Sequence, residues 1–313
     1  MKKVIAIPPY QRKEGLGLNF KFRVFEAWKE SGGKIGKSHY PIRSLHKLAY
    51  DYDLPRLTQK KDVALLRFAE ANSIRFDTFP EYSCYEIIPL IWDLWPKYFD
   101  KTCSWLEKYK VKTVIVTSCI TAERLKKRFP VMNVLTITEG INTDLYKEGK
   151  PLAQRDYNLM EIGRKCRNYF SRLAPEEYTK LCNKPYSGQL LSNDDFFETL
   201  GNSKVTVLLP KCVTEPQIAG DVETLTQRYW ECMLSRIVMV GVAPKELTDL
   251  IGYNPLIDID FEHATEQVWD IVNHISEYQD LVDKNRDTAL QLAPWSIRIL
   301  EIKKFLKKTG YLV

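Results

Sequence analysis

The chain has no paired CxxC cysteines, no HExxH pattern and no apolar run long enough to cross a bilayer. Its seven cysteines (Cys84, Cys103, Cys119, Cys166, Cys182, Cys212 and Cys232) stand singly. That spacing excludes a zinc knuckle or a disulfide-dense secreted scaffold and fits reduced thiols. The four histidines, His39, His46, His263 and His274, are scattered, so no metal site is expected. The first apolar stretch, residues 4–7, stops at Pro8 and Pro9 and is too short for a signal-peptide core. A later one, 87–94, is interrupted by Pro89 and Asp93. The expectation is a cytoplasmic protein, attached at most peripherally to the inner face of the cell membrane. RNP motifs, zinc fingers and arginine-rich arms are also missing, so no nucleic-acid partner is expected.

What the chain does have is length and apolar content. It has 313 residues, 44% of them hydrophobic, enough for two domains with their own cores. Its net charge of +6 is uneven. Residues 1–140 carry 25 Lys and Arg against 15 Asp and Glu, and the remainder carries 21 against 25. A basic N-terminal half suits an anionic partner such as a membrane surface or a lipid-phosphate-linked acceptor; a solvated surface excess is the plain alternative.

Short β-branched runs alternate with longer amphipathic stretches, the pattern of an α/β protein with parallel sheets. Strands are expected at 3–7, 113–117, 134–137, 159–162, 204–209, 237–240 and 256–259. Helices are expected at 20–30, 63–72, 96–109, 194–200, 225–234, 265–276 and 296–307. The polar, aperiodic stretch EGINTDLYKEGKPLAQRD marks a boundary. The expected domains are 1–140 and 157–292, joined by a linker over 141–156 and followed by a C-terminal helix in 293–313.

The segment GDVETLTQRYWECMLSRIVMVG, residues 220–241, is the most informative. Thr224 followed by Gln227 has capping-box spacing, so a helix is expected to start with Thr224 as N-cap. Glu223 would then sit just outside the helix, with Glu231 about 10 Å further along the axis. The amides of Leu225, Thr226 and Gln227 would face a diphosphate, which the positive end of the helix dipole also favours. Each glutamate can accept hydrogen bonds from a vicinal diol, and a nucleotide-sugar offers one on either side of its diphosphate. Arg228 has two readings, facing the nucleotide or pairing with Glu231.

Glu223 and Glu231, followed by the strand RIVMVG, resemble the E-x7-E signature of retaining GT-B glycosyltransferases of the group 1, family 4-like type. Other stretches match in order. VIVTSCITAERL and NVLTITEGINTDLY resemble the last N-domain unit and its linker, LMEIGRK the first C-domain strand, and KVTVLLPK the strand before the donor loop. The later residues are similar to a bacterial polysaccharide and cell-surface branch. The resemblance implies two Rossmann-like domains facing across a cleft, with a C-terminal helix crossing back toward the N-domain. It implies a metal-independent hexosyltransferase with no cofactor, using UDP-, GDP- or another nucleotide-sugar on a glycan or lipid-linked acceptor with retention.

By position, the resemblance assigns Glu231 to the ribose, Glu223 to the donor sugar and Arg164 to the diphosphate, with Lys165 and Lys211 as weaker phosphate partners. KEGLGLNF resembles the family's glycine loop, in which Gly15 and Gly17 admit close backbone approach; an ordinary turn is the other reading. PLIWDLWPKYF resembles the family's HD-x-WP segment, with Trp92 in place of histidine. Asp93 is there a candidate base for the acceptor, or a cap for the following helix. A GT-B epimerase and a non-catalytic nucleotide-sugar-binding protein are the alternatives.

The basic, aromatic N-terminal half, with Arg23, Lys29, Lys34, Lys37, Arg43, Lys47, Trp92 and Trp95, predicts binding to vesicles of anionic lipid at low salt. Cosedimentation checks this; a protein left wholly in the supernatant refutes it.

Overall fold

The computed structural model describes residues 1–9, 20–37, 52, 54–161, 175–183 and 193–313. The chain divides into two compact units. Unit 1 is Met1–Glu139 with Glu215–Thr224 and Trp295–Val313; unit 2 is Gly140–Thr214 with Leu225–Pro294.

Unit 1 is built on a six-stranded sheet comprising β1 (Lys2–Ala6), β2 (Val63–Glu70), β3 (Glu86–Trp92), β4 (Thr113–Val116), β5 (Asn133–Thr136) and β10 (Tyr311–Leu312). The order is β10-β1-β2-β3-β4-β5 and every pairing is parallel. Side-chain alternation splits the core in two. Val4, Ala64, Leu66, Phe68, Ile88 and Leu90 pack on one face with the Phe20–Glu30 and Trp295–Lys308 helices. Leu65, Ala69, Ile87, Ile91, Val114 and Val116 pack on the other, against Pro96–Lys108 and Cys119–Arg128. A parallel sheet covered on both faces reads as a continuous apolar run rather than an alternating one.

That is why the expected helix at 63–72 is instead strand β2. Its Ala, Leu, Arg and Glu favour helices, but burial between two neighbouring strands overrides propensity. Arg67, in mid-strand, is fully buried. Its guanidinium donates to the Asp77 carbonyl through Nε at 3.1 Å and also through Nη2, and it lies 3.6 Å from the Glu81 carboxylate. Strand β3, unassigned in the sequence because of Pro89, runs straight through it. Its pairing with β4 is confined to Leu90 and Ile91, past the residue that lacks an N–H.

Two polar groups anchor the C-terminal strand. The Tyr311 hydroxyl donates to Glu86 and lies 3.0 Å from the Thr113 hydroxyl, and Lys2 donates to the other Glu86 oxygen at 2.7 Å. Burial raises the Glu86 pKa, but the hydrogen bonds from Lys2 and Tyr311 outweigh it and hold the carboxyl below its ordinary value. The C-terminal helix packs into the unit 1 core through Trp295, Ile299, Ile302 and Leu306.

Unit 2 carries a four-stranded parallel sheet of β6 (Tyr157–Met160), β7 (Ser203–Leu208), β8 (Val238–Gly241) and β9 (Ile257–Asp258), in that order. Met160, Leu208 and Met239 face the Gln227–Leu234 and Gln279–Leu292 helices. Leu159, Val205, Val207 and Val238 face Ala264–Asn273. The buried Arg155 fastens the stretch before β6, donating to the carbonyls of Lys150, Ser203 and Ser235 at 2.7, 2.7 and 2.9 Å. No described helix is long and apolar enough to cross a membrane.

At the C-terminal end of β8, Gly241 has φ 154°, and a Cβ there would lie 1.8 Å from the Leu208 carbonyl oxygen. Gly241→Ala should therefore force β7 and β8 apart and cost about 3 kcal/mol. Urea denaturation checks this; a midpoint unchanged from wild type would refute the close approach.

Candidate functional site

In an open parallel sheet, ligands gather beyond the carboxyl ends of the strands. In unit 1 these are the ends of β3 and β4. Asp93 follows β3 directly and has φ 54°, a left-handed conformation that Asp tolerates better than most residues. Its carbonyl accepts from the Trp95 amide at 2.7 Å, and the Pro96–Lys108 helix starts with Trp95, not Asp93, as N-cap. Asp93 is exposed, although Trp92, Leu94 and Trp95 around it are buried. The residue thus keeps contact with solvent rather than the burial that its candidacy as a base relied on.

Asp93, Thr117, Ser118, Val222 and Thr224 line a cavity of about 10 Å³, room for one water. Ser118 contributes a buried hydroxyl that makes no hydrogen bond. It precedes the Cys119–Arg128 helix as N-cap without bonding a first-turn amide. The sequence did not single it out; a Ser before a helical stretch normally spends its hydroxyl on the cap.

Thr224 reaches this cavity because Glu215–Thr224 belongs to unit 1. The Thr224 hydroxyl donates to the Thr117 carbonyl at 2.9 Å. The capping-box reading is therefore corrected. The helix spans Gln227–Leu234, its N-cap is Thr226 (φ −98°, ψ 162°), and no side chain caps it. Thr224 is held by a tertiary bond instead, which the local T-x-x-Q spacing does not encode. The Leu225 amide, expected to be open to phosphate, donates to the Glu246 carboxylate at 2.9 Å.

Glu231 lies little more than one turn into that helix, and its side chain is fully buried in unit 2. The Tyr146 hydroxyl donates to Oε1 at 2.9 Å, and Arg228 Nη1 lies 2.6 Å from Oε2. Of the two readings of Arg228, the structure shows pairing with Glu231. Its guanidinium also lies 5.6 Å from the centre of the Phe196 ring, and its side chain is 23% exposed. Burial, then the charge and hydrogen bond of Glu231, push the Tyr146 hydroxyl far above its ordinary pKa, so it remains a donor. Burial likewise raises the Cys232 thiol.

Glu223 is half-buried in unit 1, two residues from the change of unit. Lys211 begins the short Lys211–Thr214 helix after β7. Gly15, Gly17, Arg164 and Lys165 lie outside the described residues. Tyr146 and Glu246 were missed in the sequence, because each meets its partner across a long separation with no local signal. Among the described residues, no three His, Cys, Asp or Glu side chains are grouped to hold a metal ion. Asp260, two residues past β9, accepts from the Glu262 and His263 amides at 2.9 and 3.1 Å and closes a turn.

No protein-family model matches the chain, and no curated protein matches it by sequence. Solved structures match by fold. Sucrose-phosphate synthase from Thermosynechococcus elongatus superposes with a TM-score of 0.60 at 12% identity, covering 98% of this chain and 99% of that one. An alpha-glucosyltransferase bound to UDP and DNA gives 0.55 at 12% identity, covering 98% and 100%. Anabaena HepE, bound to UDP and glucose, gives 0.55 at 11% identity, also covering 98% and 100%. Identities this low carry architecture alone. The architecture, over essentially the whole chain, is GT-B.

Proposed function

We propose that the protein is a nucleotide-sugar-dependent glycosyltransferase that moves a hexose onto a glycan or lipid-linked acceptor. The observation that carries this reading is the end-to-end likeness to GT-B glycosyltransferases, two of them solved with UDP. It is joined by a buried carboxylate, Glu231, on the helix that leads into β8. Unit 2 supplies the ribose contact. A carboxylate has about four acceptor positions, and Tyr146 and Arg228 leave some unfilled. The donor's ribose hydroxyls reach Glu231 when the partly exposed Arg228 swings off it, and the released guanidinium then pairs with the diphosphate. By the resemblance, Arg164, Lys165 and Lys211 complete the phosphate contacts, with Thr226 at the start of the helix, while the Leu225 amide stays with Glu246; Gly15 and Gly17 keep their assignment to the glycine loop.

Unit 1 supplies the acceptor contacts. Asp93 stands beside the acceptor hydroxyl, and Glu223 holds the donor hexose. The reaction proceeds without a metal and with retention, the leaving phosphate taking the acceptor's proton, so no nucleophilic side chain is required. The place of action is surface-polysaccharide or glycoconjugate synthesis at the cytoplasmic face of the membrane.

Calorimetry with UDP, GDP, ADP and dTDP should identify one nucleoside diphosphate that binds. Glu231→Gln should weaken it about tenfold, the scale of one charged hydrogen bond. The variant should still fold, because Gln can accept from Tyr146. Undiminished nucleotide affinity would remove Glu231 from the site.

With that donor in hand, Glu223→Gln should keep nucleotide affinity while sugar transfer falls about a hundredfold. Transfer at the wild-type rate in both variants would overturn the site assignment. Nucleotide binding with no transfer or hydrolysis in the wild type would leave the non-catalytic alternative standing.

A further inference from the structure

Every pairing in the unit 1 sheet is parallel, so its six strands all begin at one edge, opposite the edge that carries Asp93 and Thr117. The registers align those starts. Lys3 lies opposite both Leu312 and Val63, Ala64 opposite Glu86, and Thr113 opposite Asn133. Helices that feed the strands end at the same edge: Pro96–Lys108 before β4, Cys119–Arg128 before β5 and Trp295–Lys308 before β10. With neighbouring strands about 4.8 Å apart, the six starts span about 24 Å.

Exposed lysines line that edge from end to end. Lys308 precedes β10, Lys3 lies in β1, Lys61 precedes β2, Lys110 and Lys112 precede β4, and Lys127 precedes β5. None of these ammonium groups forms an ion pair among the described residues. The nearby acids are matched by other cations: Glu86 by Lys2 at 2.7 Å, Glu107 by Arg128 at 3.3 Å and Glu123 by Lys126 at 2.7 Å. Lys112 and Lys127 add only a weaker field to Glu86 and Glu123. Asp62, also exposed, offsets one of the lysines, and each helix end offsets about half a charge. The edge stays strongly positive. Beside Lys308 the crowding of like charge shows directly: burial, then the charge of Lys307, hold the Lys303 ammonium below its ordinary value.

Apolar side chains stand among these cations. Val131, two residues before β5, is 97% exposed. Leu57, whose amide donates to the Ser83 carbonyl just before β3, and Leu312 in β10 are exposed as well. Lysines with apolar side chains between them suit the headgroup boundary of an anionic bilayer, where phosphates attract the ammonium groups and the apolar groups reach further in. A nucleic-acid backbone would match the charge and offer the apolar side chains nothing. Trp92 and Trp95, expected from the sequence to face a membrane, are buried.

We propose that the edge at which the unit 1 strands begin is a docking surface for an anionic lipid bilayer, with its lysines on lipid phosphates and Val131 inserted at the headgroup level. This deepens the membrane part of the reading above and is independent of the donor chemistry. The seven residues of β3, about 23 Å long, separate this edge from Asp93. Given the assignment of Asp93 to the acceptor, docking here favours a lipid-linked acceptor that already carries several sugars over a bare lipid phosphate.

Cosedimentation with phosphatidylcholine vesicles, with and without phosphatidylglycerol, tests the surface. Binding should require phosphatidylglycerol and fall as salt rises. Lys61→Gln, Lys127→Gln and Lys308→Gln should each weaken it about fivefold, the scale of one lysine at an anionic surface. Val131→Ser, which leaves the charge unchanged, should weaken it about fivefold too. All four side chains are exposed, so the variants should keep the wild-type urea midpoint and nucleotide affinity, which separates this surface from the donor site. Lys34→Gln and Lys37→Gln, beyond the other end of β1, should leave vesicle binding unchanged. Three results would overturn the proposal: no binding to phosphatidylglycerol vesicles, binding weakened only by Lys34→Gln and Lys37→Gln, or tighter binding to a DNA duplex that Val131→Ser leaves intact.

Discussion

Two hydrogen bonds on consecutive residues set the geometry on which the rest of the candidate site depends. The Thr224 hydroxyl is tied to the Thr117 carbonyl in unit 1, and the Leu225 amide is tied to the Glu246 carboxylate in unit 2. Loss of either acceptor would leave a buried hydroxyl or amide unsatisfied, at about 1–3 kcal/mol. The chain therefore changes unit at one peptide. Glu223 is assigned to one core and Glu231 to the other, although only seven residues separate them. The motif is one in sequence and divided in structure.

Burial of charge is the second theme. Arg67 and Arg155 lie inside the two units and are satisfied mainly by backbone carbonyls. Arg155 spends its guanidinium on three carbonyls, while Arg67 adds the buried Glu81 carboxylate at 3.6 Å. Glu231 is different, with a phenol and a guanidinium as partners. Its surroundings combine a fixed donor, Tyr146, with a partly exposed and movable one, Arg228. A buried carboxylate so arranged can exchange one partner for a ligand without ever being left unpaired, which would be the costly state.

Much of the fold was legible in the sequence, because most strands and helices are bounded by Pro, Gly or polar turns. The seven expected strands all correspond to observed ones within a residue or two, and the helices at 20–30, 96–109 and 296–307 nearly coincide with the structure. β2 was misread because VALLRFAE, buried on both faces, has neither alternation nor a reliable helical stripe. β3 was missed because Pro89 is a strand breaker only where its N–H is needed. At the site, Glu231 and Arg228 share a helix, so spacing found them together. The partners that decide their state, Tyr146 and Glu246, are contributed by tertiary packing, and T-x-x-Q misplaced the helix start because Thr224 had a better acceptor elsewhere.

The interleaving of chain segments limits how this protein can be cut. Unit 1 is made of three separate stretches, and its edge strand β10 and the Trp295–Lys308 helix are contributed by residues 295–313. A truncation after Glu139 would strip the sheet of that edge and uncover the apolar face on which Ile299, Ile302 and Leu306 rest. Swapping modules with another protein would thus need four coordinated junctions rather than one. Exchange by a single crossover is correspondingly disfavoured.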